Sequence, residues 1–188
     1  EGADPVRKVS IIPRGMALGV TFAAPESDRF NYSEPEVMAK IKVALGGRAA
    51  EEVVFGETST GAESDIEQLT EIARQMVGRW GMSSAIGPVA VLPRDGSGPF
   101  LPGAAEVSQE TQKIVDGEVR RIVESSHKEV VALLQDNRAK LDSLAAALLE
   151  HETLDEDDAY AAAGVEHSEP AAADSYSAAA RTRTTSRP

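Results

Sequence analysis

The residue of this chain best placed to do chemistry is Asp65, which closes the stretch Thr58-Ser59-Thr60-Gly61-Ala62-Glu63-Ser64-Asp65. Thr60 and Glu63 have the S/T-x-x-E spacing of a capping box, in which a hydroxyl and a carboxylate satisfy each other's free backbone N–H groups at a helix start. Ile66, Leu69, Ile72, Ala73, Met76, Val77 and Trp80 then recur with helical spacing. Asp65 is therefore expected in the first turn or two of a helix. There a carboxylate can serve as a metal ligand, or simply interact with the positive end of the helix dipole for about 0.3–1 kcal/mol. Acidic first turns are ordinary, so spacing alone leaves both roles open.

Three separated segments narrow the choice. They are Asp4-Pro5-Val6-Arg7-Lys8-Val9-Ser10-Ile11-Ile12-Pro13-Arg14-Gly15, then Leu45-Gly46-Gly47-Arg48-Ala49-Ala50-Glu51-Glu52-Val53-Val54-Phe55-Gly56, then Thr60-Gly61-Ala62-Glu63-Ser64-Asp65-Ile66 running on to Trp80-Gly81-Met82-Ser83 and Gly87-Pro88. In this order and at these separations they resemble the peptidase domain of the FtsH family, membrane-anchored AAA+ zinc metalloproteases. The likeness is close over about residues 4–90 and looser, as helices, over about 108–158. As a set it is far more specific than any one short motif.

The resemblance implies a zinc ion held by two histidines of an H-E-x-x-H helix and by the aspartate of a T-G-A-x-x-D segment, which here is Asp65. Two histidines at i and i+4 share one helix face, a third ligand comes from a distant element, and the fourth position stays open for water. Zinc lowers the pKa of that water to about 7, and the motif's glutamate takes its proton. The same resemblance implies one zinc per subunit, ATP and Mg2+ in a separate ATPase module, and a homohexameric ring. It further implies a membrane anchor outside these residues, a peptidase domain on the cytoplasmic side of the cell membrane, and unfolded or membrane proteins as substrates for quality control.

None of the three histidines, His127, His151 and His167, belongs to an H-E-x-x-H. The family places that motif shortly before the D-P-V-x-K-V segment, so the simplest expectation is a chain cut just downstream of it. The histidines present match no ligand pattern and read as ordinary surface or near-surface side chains. One carboxylate does not hold a catalytic zinc, so residues 1–188 alone are expected to be proteolytically inactive. The rival reading is a non-catalytic helical oligomerisation or interaction module that kept the scaffold and lost the histidines.

A length of 188 residues suits one domain, 1–164, and a tail, 165–188. The expected fold is mainly α: a helical peptidase domain with a small β hairpin near the N-terminus and a disordered C-terminal tail. No apolar run reaches transmembrane length and no signal peptide opens the chain, though an internal piece shows neither its parent's anchor nor its targeting signal. With no cysteine, any metal binds through N and O ligands. A net charge of −12 argues against nucleic acid and anionic membrane surfaces as partners. No G-x-x-x-x-G-K-S/T occurs, so ATP is not expected to bind these residues.

Val9-Ser10-Ile11-Ile12 and Leu18-Gly19-Val20-Thr21-Phe22 read as a hairpin turning at Arg14-Gly15. It is either an edge strand beside the zinc cleft, to which unfolded substrate adds, or a structural hairpin over the core. Ser33, Pro35 and Glu36 start a helix whose stripe is Val37, Met38, Ile41, Ala44 and Leu45. Either it continues through Gly46-Gly47, at about 1 kcal/mol per glycine and for a packing reason such as close approach of the histidine helix, or it breaks there. Arg48, Glu51 and Glu52 read as structural or cleft-ordering and are kept out of the metal site. Residues 81–107 form a long loop, with Arg94-Asp95-Gly96-Ser97-Gly98-Pro99 its most flexible-looking part. Ser108 caps a helix to about Leu134, with Ile114, Val119, Ile122, Val123, Val130, Leu133 and Leu134 on one face. A second helix, about Arg138–Leu149, follows as its antiparallel partner, and Thr153 caps a last helix from Leu154.

Overall fold

The computed structural model describes residues 2–13, 15, 19–25, 31–92 and 107–166. Three helices make the main core. Helix α1, Glu34–Phe55, starts where Glu36 Oε2 accepts hydrogen bonds from Ser33 N and Ser33 Oγ, both at 2.7 Å. Its Val37, Ile41, Leu45 and Ala49 fall on one buried stripe at four-residue intervals. It runs through Gly46 and Gly47 unbroken and stops at Gly56, whose φ of 71° is the left-handed conformation that glycine adopts at no steric cost. Helix α2, Glu63–Gly78, follows a 3-10 turn at Thr60–Ala62 and buries Leu69, Ala73, Met76 and Val77. Helix α3, Gln109–Asp136, is capped as expected, with Ser108 Oγ accepting from Thr111 N at 3.1 Å.

The buried face of α3 is Val115, Val119, Ile122, Ser126 and Val130, so two expected core positions, Ile114 and Leu133, stand exposed instead. Trp80, two residues past the end of α2, is likewise about half exposed. Each fully buried Leu, Ile or Val contributes about 1.5–3 kcal/mol, so the stripes of α1, α2 and α3 dominate stability.

Helix α4, Arg138–His151, does not fold back along α3 as an antiparallel partner. It packs on a last helix, α5, Glu156–Ala163. The reason is local: Asn137 still donates its N–H to Leu133 O and accepts from Lys140 N and Leu141 N, so the one-residue connection bends the rod without reversing it.

Near the N-terminus, β1, Val6–Ser10, and β2, Val20–Ala23, pair antiparallel. Ile11 and Ile12 lie past the end of β1, and the Arg14 half of the expected turn is outside the described residues. A third strand, β3, Thr153–Asp155, pairs with the other side of β1, Val9 opposite Leu154, so the hairpin is part of a three-stranded sheet in the order β2-β1-β3. Thr153 is thus a strand residue, hydrogen-bonded to Ser10 Oγ at 2.8 Å, and Asp155 caps α5 through Asp158 N. Leu148, Leu154 and Ala159, with Val9 and Leu144, form a second, smaller core beneath this sheet. Arg7 binds both oxygens of Glu156, at 2.7 and 2.6 Å, fastening β1 to α5. Beyond Glu166 the expected tail lies outside the described residues, as does the Arg94–Pro99 segment.

Candidate metal-ligating groove

Asp65 is the third residue of α2, half-buried, with its position in the first turn as the spacing indicated. The local cap differs from the expected one. Ala62 is the N-cap of α2 and makes no side-chain cap bond, so the Thr60–Glu63 box is not what starts the helix. The cap lies earlier, where Ser59 Oγ accepts from Gly61 N at 3.1 Å. Ser59 is itself held from α1: its N–H donates to Glu51 Oε2 at 2.9 Å and its hydroxyl to Glu51 Oε1 at 2.7 Å. A carboxylate eight residues upstream has displaced the local box.

These residues open onto a groove of about 1050 Å³. One wall is the outer face of α1 with Lys40, Val43, Gly47 and Glu51; the second is the start of α2 with Ser64, Asp65 and Gln68; the third is β2 with Val20, Thr21 and Ala23. Strand β2 is the edge of its sheet, and every residue of it is exposed. Val43 is 60% exposed on the groove side of α1, and a Cβ built on Gly47 would meet nothing within 4 Å. The two glycines therefore have no close neighbour among the described residues.

The charges of the groove are arranged unequally. Lys40 Nζ is 3.6 Å from the centre of the Tyr32 ring and 3.8 Å from Asp4 Oδ2, so its charge is engaged by residues other than Asp65. Glu51 has its carboxyl drawn below the usual range by the Ser59 hydroxyl first and the Ser59 N–H second, with the charge of Arg48 adding to them against a smaller desolvation effect. Among the described residues, no hydrogen bond or ion pair engages the Asp65 carboxylate. A half-buried carboxylate left free in a groove suits an oxygen ligand of a metal.

It is one donor where a catalytic zinc takes three from protein. No three His, Asp or Glu side chains converge among the described residues. His127 sits between α3 and α1 with Nε2 3.1 Å from Glu52 Oε2, His151 is exposed at the end of α4, and neither lines the groove; His167 lies outside the described residues. Glu51 thus ties α1 to the turn through Ser59, whereas Glu52 lies beside His127 of α3 without hydrogen-bond geometry between them. Sequence reasoning missed the partner of each. The Glu-Glu pair was visible, but no periodicity marks a contact to a turn after the helix end.

Residues 1–161 match peptidase family M41. The chain is 70% identical over 159 residues to ATP-dependent zinc metalloprotease FtsH 3 of Conexibacter woesei, covering 85% of this chain and 21% of that protein. It is 53% identical over 157 residues to ATP-dependent zinc metalloprotease FtsH of Thermobaculum terrenum, covering 82% and 24%. It is 51% identical over 163 residues to the FtsH of Syntrophus aciditrophicus, covering 84% and 22%. The chain thus spans about a fifth to a quarter of the length of these relatives.

Proposed function

Because this chain belongs to peptidase family M41, we propose that it is the proteolytic part of an ATP-dependent zinc endopeptidase, contributing Asp65 as the third zinc ligand and β2 as the strand on which substrate lies. One observation carries the reading: among the described residues, a half-buried carboxylate with no hydrogen-bond or ion-pair partner lines a groove whose opposite wall is a sheet edge with no strand beside it. The two histidine ligands and the general base come from an H-E-x-x-H helix outside these residues, and that helix fills the groove over Val43 and Gly47. Bound zinc supplies a Lewis acid that makes hydroxide available near neutral pH.

What these residues do themselves is bind and orient. Asp65 offers oxygen at the head of a rigid helix. The unpaired N–H and C=O groups of β2 accept an extended peptide through main-chain hydrogen bonds, a mode that needs an unfolded substrate and places little demand on its sequence. Tyr32 and Asp4 keep the Lys40 ammonium engaged, which leaves Asp65 without a competing cation among the described residues. Residues 1–164 are the peptidase domain and 165–188 a tail. The complete protein is a membrane-anchored homohexamer with the peptidase on the cytoplasmic side, and its ATPase module, with ATP and Mg2+, feeds unfolded and membrane proteins to the groove.

The test is the zinc content of the complete polypeptide and of its Asp65→Asn variant. One zinc per subunit, mostly lost in the variant, is the expected result. Full zinc in the variant overturns Asp65 as a ligand; no zinc in either replaces the protease with a non-catalytic interaction module on the same scaffold.

A further inference from the structure

Resting on the reading of Asp65 as a ligand, we propose that Ser59 is the positioning residue that sets where α2 begins and so where Asp65 presents its carboxylate. The side chain of Ser59 is saturated in one orientation. Its single proton goes to Glu51 Oε1 at 2.7 Å, and a lone pair of the same oxygen accepts Gly61 N at 3.1 Å. Its backbone N–H goes to the other oxygen of the same carboxylate, Glu51 Oε2, at 2.9 Å. Two bonds from one residue to both oxygens of one carboxylate fix direction as well as distance.

The consequence for Asp65 follows from what α2 lacks. A helix start leaves its first N–H groups without partners, and a side-chain cap is the usual remedy. The N-cap of α2 is Ala62, which has no group to offer, so the side-chain cap of this region is Ser59 at the 3-10 turn. Gly61 sits tightly on it: a Cβ there would lie 3.2 Å from Ser59 Oγ and 3.8 Å from Glu51 Oε1. Ala62 is buried and seats the far end of the turn. From Glu51 on α1 a chain of hydrogen bonds thus runs through Ser59 Oγ to Gly61 N, two residues before α2 begins and four before Asp65. Removing that oxygen frees Gly61 N and leaves the Ser59 N–H bond to Glu51 Oε2 as the remaining hydrogen bond from the turn to α1, while the buried stripe of α2 stays in place. A ligand tolerates displacements of only about 0.2 Å, so metal binding falls much further than stability does.

The experiment measures zinc affinity by chelator competition, and amide exchange across residues 59–66, in the complete polypeptide. The variants are Ser59→Ala, Ser59→Thr, Glu51→Gln and Asp65→Asn. The expected result is a loss of about tenfold in zinc affinity for S59A, the low end of what removing a direct partner of a metal ligand costs, since Ser59 acts through the backbone of the turn, with most of it restored by S59T. Exchange rises at Gly61 and the first turn of α2 in S59A alone among the Ser59 variants, and the S59A/E51Q pair is no worse than the poorer single variant. D65N loses zinc without the rise in exchange. Unchanged zinc affinity in S59A alongside a loss in D65N overturns the positioning role and leaves the ligand standing. Unchanged affinity in D65N overturns the ligand and the positioning role together. A rise in exchange spread over the whole molecule in S59A makes Ser59 a stability residue and also overturns the proposal.

Discussion

At the scale of single residues, several carboxylates link one element to another, and Glu118 shows how. Its Oε1 accepts from Ser83 Oγ at 3.0 Å and from Arg121 Nη2 at 2.7 Å, while Oε2 accepts from Arg121 Nε at 2.8 Å. Arg121 first, and Ser83 against the opposing effect of burial, hold its carboxyl below the ordinary value of 4.5. A carboxyl whose folded pKa is depressed contributes stability that is complete above its unfolded pKa, and that is lost as pH falls through the folded one. Glu118→Gln is therefore expected to cost about 1 kcal/mol at pH 7 and to flatten the decline of stability below about pH 4.5; urea unfolding at pH 7, 5 and 3 checks both, and an unchanged acid slope sinks the assignment. Glu51 belongs to the same class, and its case marks a limit of reading residues in order. The position of Asp65 in the first turn of α2 was legible because a turn, an acid and a helical stripe follow one another along the chain. The cap was not: Ser59 is claimed by Glu51 across eight positions, and a local Thr60–Glu63 pattern cannot register that competitor.

Among the elements, those with long periodicity were legible and those made by pairing were not. Helix α1 could be read from Val37 to Leu45, where one stripe repeats, and the structure carries that stripe on to Ala49. Strand β3 has three residues, too few for any alternation, and exists because β1 offers it a partner. The α3–α4 junction read as a reversal because a short connection between helices usually makes one, whereas Asn137 keeps helical hydrogen bonds on both sides. The glycines of these elements give a paired test. Gly81 has a φ of 65°, and a Cβ on it would lie 2.9 Å from Pro88 Cα, so Gly81→Ala is expected to cost about 1–3 kcal/mol. Gly47 has helical backbone and open space before it, so Gly47→Ala is expected to stabilise residues 1–188 by about 0.5–1 kcal/mol. In the complete polypeptide, where a helix is proposed to lie against that face, the same substitution loses its gain and becomes destabilising. Denaturant midpoints of both lengths decide it, and an equal gain in both removes the helix from the groove.

For the whole molecule, the two cores divide the labour in a way that bears on what residues 1–188 do alone. The larger core holds α1, α2 and α3 together, and the smaller one seats the sheet on α4 and α5. The groove lies between elements of both, α1 and α2 on one side and β2 on the other, so its walls stand without any metal. A ligand that binds only the folded state raises stability by RT ln(1 + [L]/Kd), a quantity that vanishes when a single carboxylate is the only donor. Zinc or a chelator is therefore expected to leave the melting temperature of residues 1–188 unchanged, and this chain is expected to leave casein uncut. The complete polypeptide is expected to melt higher with zinc and to stop cleaving when a chelator is added. Metal-dependent cleavage by residues 1–188 themselves would mean that a second set of ligands exists within them, and would move the site away from Asp65. A metal-independent melting temperature in the complete polypeptide would instead leave the groove as a docking surface along the edge of β2.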